Sequence, residues 1–276
     1  MRWIKGLVPT VIILLGALVL GCICYVSIWG APSFVVQRVE QALMEKGIPV
    51  HIETLKISLW PRAVVTLKNV ELLDPGVPPE ARRPVALLHE ADVALNWKEL
   101  IDGQVVPERL NVKGLDVNLP VDAEKPERVF STAGLNAELD LGRPGMVDIV
   151  KADAVVQGIS VTAQGAFSIG QGDSGDFTLT AEDMAAAREQ LNQVLKYLDR
   201  VKWPEASPPS LAVNLSDDPK GGVRVGMDLQ APSLRYGKIR VRDFLFSGDY
   251  ADSVIMAKRF TCLLYTSPSP RDAHES

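Results

Sequence analysis

Between Val50 and Pro120 apolar and polar residues alternate over long runs, the period-two signature of strands that keep one apolar face. Val50 and Ile52 set a phase that slips at Glu53-Thr54, after which Leu55, Ile57 and Leu59 carry on. Ala63, Val65 and Leu67 share one parity, while Val70 and Leu72 after Asn69 take the other. Leu110 and Val112 are followed by a slip at Gly114, then by Leu115, Val117 and Leu119. A one-residue slip turns every later side chain to the wrong face unless a bulge absorbs the extra residue, so the pattern predicts bulged, bent strands and a curled sheet. Val85, Leu87, Ala91, Val93, Leu95 and Trp97 read as one unbroken phase interrupted only by His89. A lone His on such a face reads as a hydrogen-bonded core or rim residue rather than a ligand.

The alternation continues through Leu135-Ala137-Leu139-Leu141, Val147-Ile149, Ile159-Val161-Ala163, Phe167 and Ile169, and Phe177-Leu179. It resumes at Leu211-Val213-Leu215, Val223-Val225-Met227-Leu229, Ile239-Val241 and Phe244-Phe246. Turn chemistry separates these runs at Asp74-Pro75-Gly76 with Pro78-Pro79, at Lys98 to Gly103, and at Asp217 to Gly222. Two stretches switch to helical spacing. Pro32 to Lys46 carries Val35, Val39, Ala42 and Leu43 on one face, with Gly47 as a natural stop. Thr180 to Val201 places Met184, Ala187, Leu191, Val194, Leu195, Leu198 and Val201 at intervals of three and four, with Pro204 beyond it. Such a helix is expected to cap or plug the sheet.

Ahead of the strands, Leu7 to Trp29 holds no charged side chain, and its length matches the ~20 residues that cross a ~30 Å hydrocarbon core as a helix. Leu7, Leu14 and Leu20 lie along this expected anchor, with Trp29 at its far interface. Arg2 and Lys5 precede it, which predicts a cytoplasmic N-terminus and a body on the far side. A cleaved signal peptide would need a shorter apolar core and a better site than Trp29-Gly30-Ala31-Pro32. Val19-Leu20-Gly21-Cys22 resembles a lipoprotein box, but the residues after Cys22 stay apolar, so the retained anchor is the favoured reading. The expected organisation is an anchor over 1–31, a membrane-proximal helix over 32–48, strands over 49–180, an amphipathic helix over 181–203 and further strands over 204–260. Residues 261–276 stand apart: Leu263 to Asp272 resembles translated adapter sequence, so the natural protein is expected to continue differently beyond about Phe260.

Charge and chemistry then narrow the function classes. The chain has 276 residues and a net charge of -5 with scattered basic residues, which lacks the clustered Lys and Arg of a nucleic-acid binder. Cys22, Cys24 and Cys262 all lie outside the body, so the body has neither disulfides nor cysteine metal sites. Gly170, Gly172 and Gly175 satisfy GxGxxG, but a strand rather than a helix is expected next, so a hairpin loop is the better reading. Gly172-Asp173-Ser174-Gly175 resembles the nucleophile segment of trypsin-like proteases without a matching His segment. His51 and His89 are the only body histidines, and Glu182-Asp183 and Asp217-Asp218 are ordinary helix-start and turn acids. No enzyme, metal or cofactor emerges.

Taken in order, several segments resemble the AsmA-like family of envelope proteins, which includes TamB. They are Pro49-Val50-His51-Ile52, Ile57-Ser58-Leu59-Trp60-Pro61, Leu67 to Leu72, Ala91 to Leu95, Lys98 to Gly103 and Leu110 to Val117. The likeness spans Met1 to Pro120 and continues more loosely through Tyr250, including Leu234 to Ile239. It implies a mainly β protein: an inner-membrane anchor and an elongated, curled antiparallel β-groove in the periplasm, with one or two amphipathic helices. The family's groove shields acyl chains while phospholipid moves toward the outer membrane, with other envelope proteins as possible partners. On that expectation the lining is Ile57, Leu59, Val65, Leu67, Val93, Leu95, Leu110, Val112, Leu115, Val117, Leu139 and Val161. The alternative is a structural or assembly factor whose sheet core is filled by its own side chains.

Overall fold

A computed structural model describes residues 31–266 apart from residues 60, 78–79, 81, 123–124, 169–180, 220 and 253. The anchor residues Leu7, Leu14, Leu20 and Trp29, the glycine-rich loop and the Phe177-Leu179 strand lie outside the described residues. Among the described residues no helix is long and apolar enough to cross a membrane.

The chain folds as a single open, curled sheet of twelve strands. They are β1 (Val50–Ser58), β2 (Val64–Leu73), β3 (Pro84–Leu95), β4 (Pro107–Pro120), β5 (Val129–Asp140), β6 (Met146–Val156), β7 (Ile159–Ser168), β8 (Val201–Lys202), β9 (Ser210–Asp217), β10 (Val223–Tyr236), β11 (Ile239–Ala251) and β12 (Val254–Thr266). Three helices accompany them among the described residues: α1 (Ser33–Glu45), α2 (Trp97–Ile101) and α3 (Ala181–Leu198). Strands follow sequence order from β1 at one edge to β12 at the other, with β8 extending the lane of β9 beside β10.

Short turns make antiparallel neighbours of successive strands, with one exception. β7 and β9 run parallel, because the crossover containing α3 returns the chain to the end from which β7 started. The sheet is therefore not antiparallel throughout, contrary to what the resemblance implied. At the far end of this joint Asp217 accepts from the Ser168 N–H at 2.6 Å and from its hydroxyl at 2.9 Å. Those bonds, the backbone one foremost, hold the Asp217 carboxyl below its ordinary range.

The phase slips resolve into a crease running across the strands. Ile52↔Val70 and Thr54↔Lys68 keep one register, so Glu53 faces Asn69 and both strands carry their extra residue at the same level. Asn69 takes a φ of 50° there and donates to Glu53 at 2.5 Å. Val70↔Leu88 and Lys68↔Glu90 set His89 against Asn69, and Leu88↔Leu115 and Glu90↔Lys113 set Gly114 against His89. Gly114 has a φ of 66°, and a Cβ on it would press to 2.8 Å from the His89 ring. A second paired slip opposes Pro232 to Asp243, whose φ is 51°.

Several sequence expectations are corrected. β3 slips too: Ala86 and Leu88 share a face with Ala91, Val93 and Leu95, whereas Leu87 pairs with Glu71 and Asp116 on the polar side. The slip is invisible in the sequence because Val85, Ala86, Leu87 and Leu88 are all apolar. Trp97 belongs to α2, not to β3, because Asn96 accepts from the Lys98 and Glu99 N–H groups and starts a helix there. The second long helix stops at Leu198, and Val201 pairs with Tyr236 in β8, so strands resume before residue 204. β12 runs through Phe260 to Thr266, into the residues expected to differ from the natural protein.

Both long helices lie on the apolar face. α1 packs Val36, Val39 and Leu43 onto Ile52, Leu55 and Val70, and its Glu40 accepts from the Ile52 N–H at 2.7 Å. α3 packs Met184, Leu191, Leu195 and Leu198 onto Val85, Leu119 and Val121. Arg188 of α3 holds both Asp74 carboxylate oxygens at 2.6 Å, and Arg128 reaches Asn192 and Asp199 at the helix's other end.

The β7–β9 joint yields a test. Gly165 has a φ of 130°, and a Cβ there would enter the Leu215 backbone, 2.7 Å from its nitrogen. Gly165→Ala is expected to cost about 3 kcal/mol. Because β7–β9 is the only strand pairing joining the two parts of the sheet among the described residues, urea melts followed by circular dichroism and tryptophan fluorescence should cease to coincide. An unshifted, coincident midpoint would refute this.

Candidate functional site

The register aligns apolar residues into rows that cross the whole sheet. One row runs Leu55, Leu67, Ala91, Val112, Ala137, Ala152, Ala163, Val213, Met227, Gly248 and Ala257. Its neighbour runs Ile57, Val65, Val93, Leu110, Leu139, Ile149, Gly165, Leu215, Val225, Tyr250 and Ile255. Neither contains a charged residue. Ten steps between strands at ~4.8 Å make each row ~48 Å long. In the first row, alanines leave a low floor on β5 to β7, beside the bulkier Leu110, Leu139 and Ile149 of the second.

The helices cover only part of this face. Ile57, Val65 and Leu67 pack in the cluster beneath α1, and Val117 packs in the cluster that α3 completes. Val93, Leu95, Leu110, Val112, Leu115, Leu139 and Val161 belong to neither buried cluster and stay half-buried. Leu59 lies just beyond the end of β1, and is also half-buried. Among the described residues the closely buried apolar side chains are confined to the two helix-covered patches and a few alanines, and the rows between stay half-buried. Apolar surface left in water costs ~25 cal/mol per Å², and a stripe of this length is what an apolar ligand would cover.

The expected lining left out the floor, although Ala137 and Ala163 stand in the alternation. Ala137, Ala152 and Ala163 carry little hydrophobic signal alone, and only the cross-strand register shows them in one line with Ala91. Ala86 and Leu88 were hidden by the unseen slip in β3.

The opposite face is polar and sewn by charge. Lys68, Glu90 and Lys113 stand in one cross-strand row, with Glu90 at 2.7 Å from Lys68 and 2.6 Å from Lys113. Along the crease Asn136 accepts from the Gly114 N–H at 3.0 Å, Asp116 accepts from the Gly134 N–H at 2.7 Å, and Asn136 donates to Asp153 at 3.1 Å. That bond, with Lys151 behind it, holds the Asp153 carboxyl below its ordinary range. His89 is an exposed residue of this polar side, 3.5 Å from Asp116. Among the described residues no three His, Cys, Asp or Glu side chains converge as metal ligands would. A charged hollow of about 380 Å³ between α3 and the loops at Asp74 and Asp122 is already bridged by Arg188 and Asp74.

The open curled sheet with one apolar and one polar face defines the architectural class. No protein-family model, curated protein or solved structure matches the chain.

The polar ladder carries a pH dependence. Hydrogen bonds from Lys113 and then Lys68 hold the Glu90 carboxyl down at about 2. A carboxyl depressed in the folded state stabilises it above the unfolded value of about 4.3, and that contribution is lost as pH falls from there toward about 2. Glu90→Gln is therefore expected to cost about 0.5–1 kcal/mol at neutral pH, since the group is part-exposed, and to flatten the acid limb of the stability curve. Denaturant melts at stepped pH would check it; an unchanged acid limb would count against the ladder.

Proposed function

We propose that the apolar face binds lipid acyl chains and that the protein passes phospholipid along it, from an inner-membrane anchor through the periplasm toward the outer membrane. The single observation that carries this is the pair of uninterrupted apolar rows crossing all eleven lanes of the sheet, half-open to solvent beyond α1 and α3. Acyl chains need a continuous dry lining and no directional bonds, which alternate residues of successive strands supply. A headgroup needs the opposite, and the open side of the sheet leaves it in water. In this reading the direction of travel rests on the resemblance to AsmA-like proteins, and the anchor on the uncharged run of residues 7–29. Nothing in this function calls for a catalytic residue, metal or cofactor.

A second reading, an assembly factor with a self-filled core, draws on the way α1 and α3 already fill part of the face with their own side chains. The two readings part at the uncovered strands. Mass spectrometry of gently purified protein should find bound phospholipid, and Leu110→Asp should abolish it while costing only about 1 kcal/mol of stability at this half-exposed position. Val117→Asp, packed in the cluster with Leu195, should instead cost about 3 kcal/mol or more. A well-folded, lipid-free wild-type protein would favour the self-filled core.

A further inference from the structure

At one end of the sheet, next to the row of large apolar side chains, the connection from β3 to β4 presents apolar residues to solvent in an ordered form. Trp97 is 44% exposed, Ile101 74%, Val105 71% and Val106 38%. Free loops seldom hold so many large apolar groups outward, because each keeps its hydration cost. This loop is not free to turn them in. Asn96 accepts from the Lys98 and Glu99 N–H groups at 3.0 and 3.1 Å and starts α2. The Gln104 N–H closes the turn onto the Glu99 carbonyl at 2.8 Å, with Gly103 at a φ of 81°. The Asn96 N–H reaches the Val106 carbonyl at 2.8 Å and ties the base of the loop. The result is a held wedge rather than a slack connection.

Its place identifies the partner. Ser58, Val64, Ala94 and Arg109 stand in register at this end of β1 to β4. The uncharged run of residues 7–29 joins the sheet at Ala31, whose N–H bonds the Leu55 carbonyl. From Leu55 to Ser58, the last residue of β1, is ~10 Å along the strand, so a bilayer holding that run lies within reach of the wedge. We infer that the Trp97–Val106 loop is a membrane-contact wedge that seats this end of the apolar face in a phospholipid leaflet. Trp97 lies at the interface and Ile101 and Val105 reach below it, with Lys98, Glu99 and Asp102 left at headgroup level. The inference rests on the anchored lipid-binding reading and adds where lipid would enter.

The test uses the full chain with Cys22, Cys24 and Cys262 changed to Ser and an environment-sensitive fluorophore on Ile101→Cys, reconstituted in phosphatidylcholine vesicles. Val150→Cys, 48% exposed on β6, serves as the reference position. The label at 101 should shift to the blue, lose iodide quenching several-fold relative to 150, and be quenched by lipids brominated near the headgroup. A label at 101 as open to iodide as that at 150 overturns the wedge, and the loop would then belong to a protein partner. Phospholipid retained by the same purified protein is measured before reconstitution. Lipid present with an open label sinks the wedge alone, whereas a buried label on lipid-free protein sustains the wedge and sinks the trough.

Discussion

Everything on the apolar face depends on the extra residues of successive strands falling at one level. Glu53, Asn69, His89 and Gly114 stand side by side, so the inversion of side-chain parity happens to β1 through β4 together. If one strand slipped alone, its apolar residues on one side of the crease would point at the polar side of its neighbours, and the line through Ile52, Val70, Leu88 and Leu115 would no longer share a face with the two rows. The backbone cost is met at Asn69 and Gly114, a short polar side chain and a Gly that tolerate left-handed φ, and the Gly114 and Gly134 N–H groups are taken up by Asn136 and Asp116. The same crease that curls the sheet thus preserves the continuity of its lining.

The two faces divide the labour. On the polar side, stability comes from many small cross-strand terms, the Lys68-Glu90-Lys113 ladder among them. On the apolar side, close packing is confined to the two helix-covered patches. A sheet that needed its entire apolar face to fold could not leave it open. Here the long hairpins, the helices and the polar ladder hold the strands, while the uncovered rows stay half-open to solvent.

Particular residues show how far pattern alone reaches. The slips at Glu53-Thr54, Asn69 and Gly114 were legible because a polar residue or a glycine breaks a clear alternation, and a bent, curled sheet follows from them. The slip at His89 was not, because four apolar residues in a row carry no phase. Trp97 continued the parity of Leu95 yet starts a helix, since the cap from Asn96 outweighs a two-residue periodicity.

Sequence alone determined that this chain is mainly β, that its strands bend, and that two amphipathic helices stand among them, because those properties arise from local periodicity and turn chemistry. Tertiary structure decided the rest. The parallel β7–β9 joint, the alanine floor and the division of the lining between covered and open residues all depend on which strand lies beside which. Cross-strand register is a relation between residues far apart in the chain, and no local pattern encodes it.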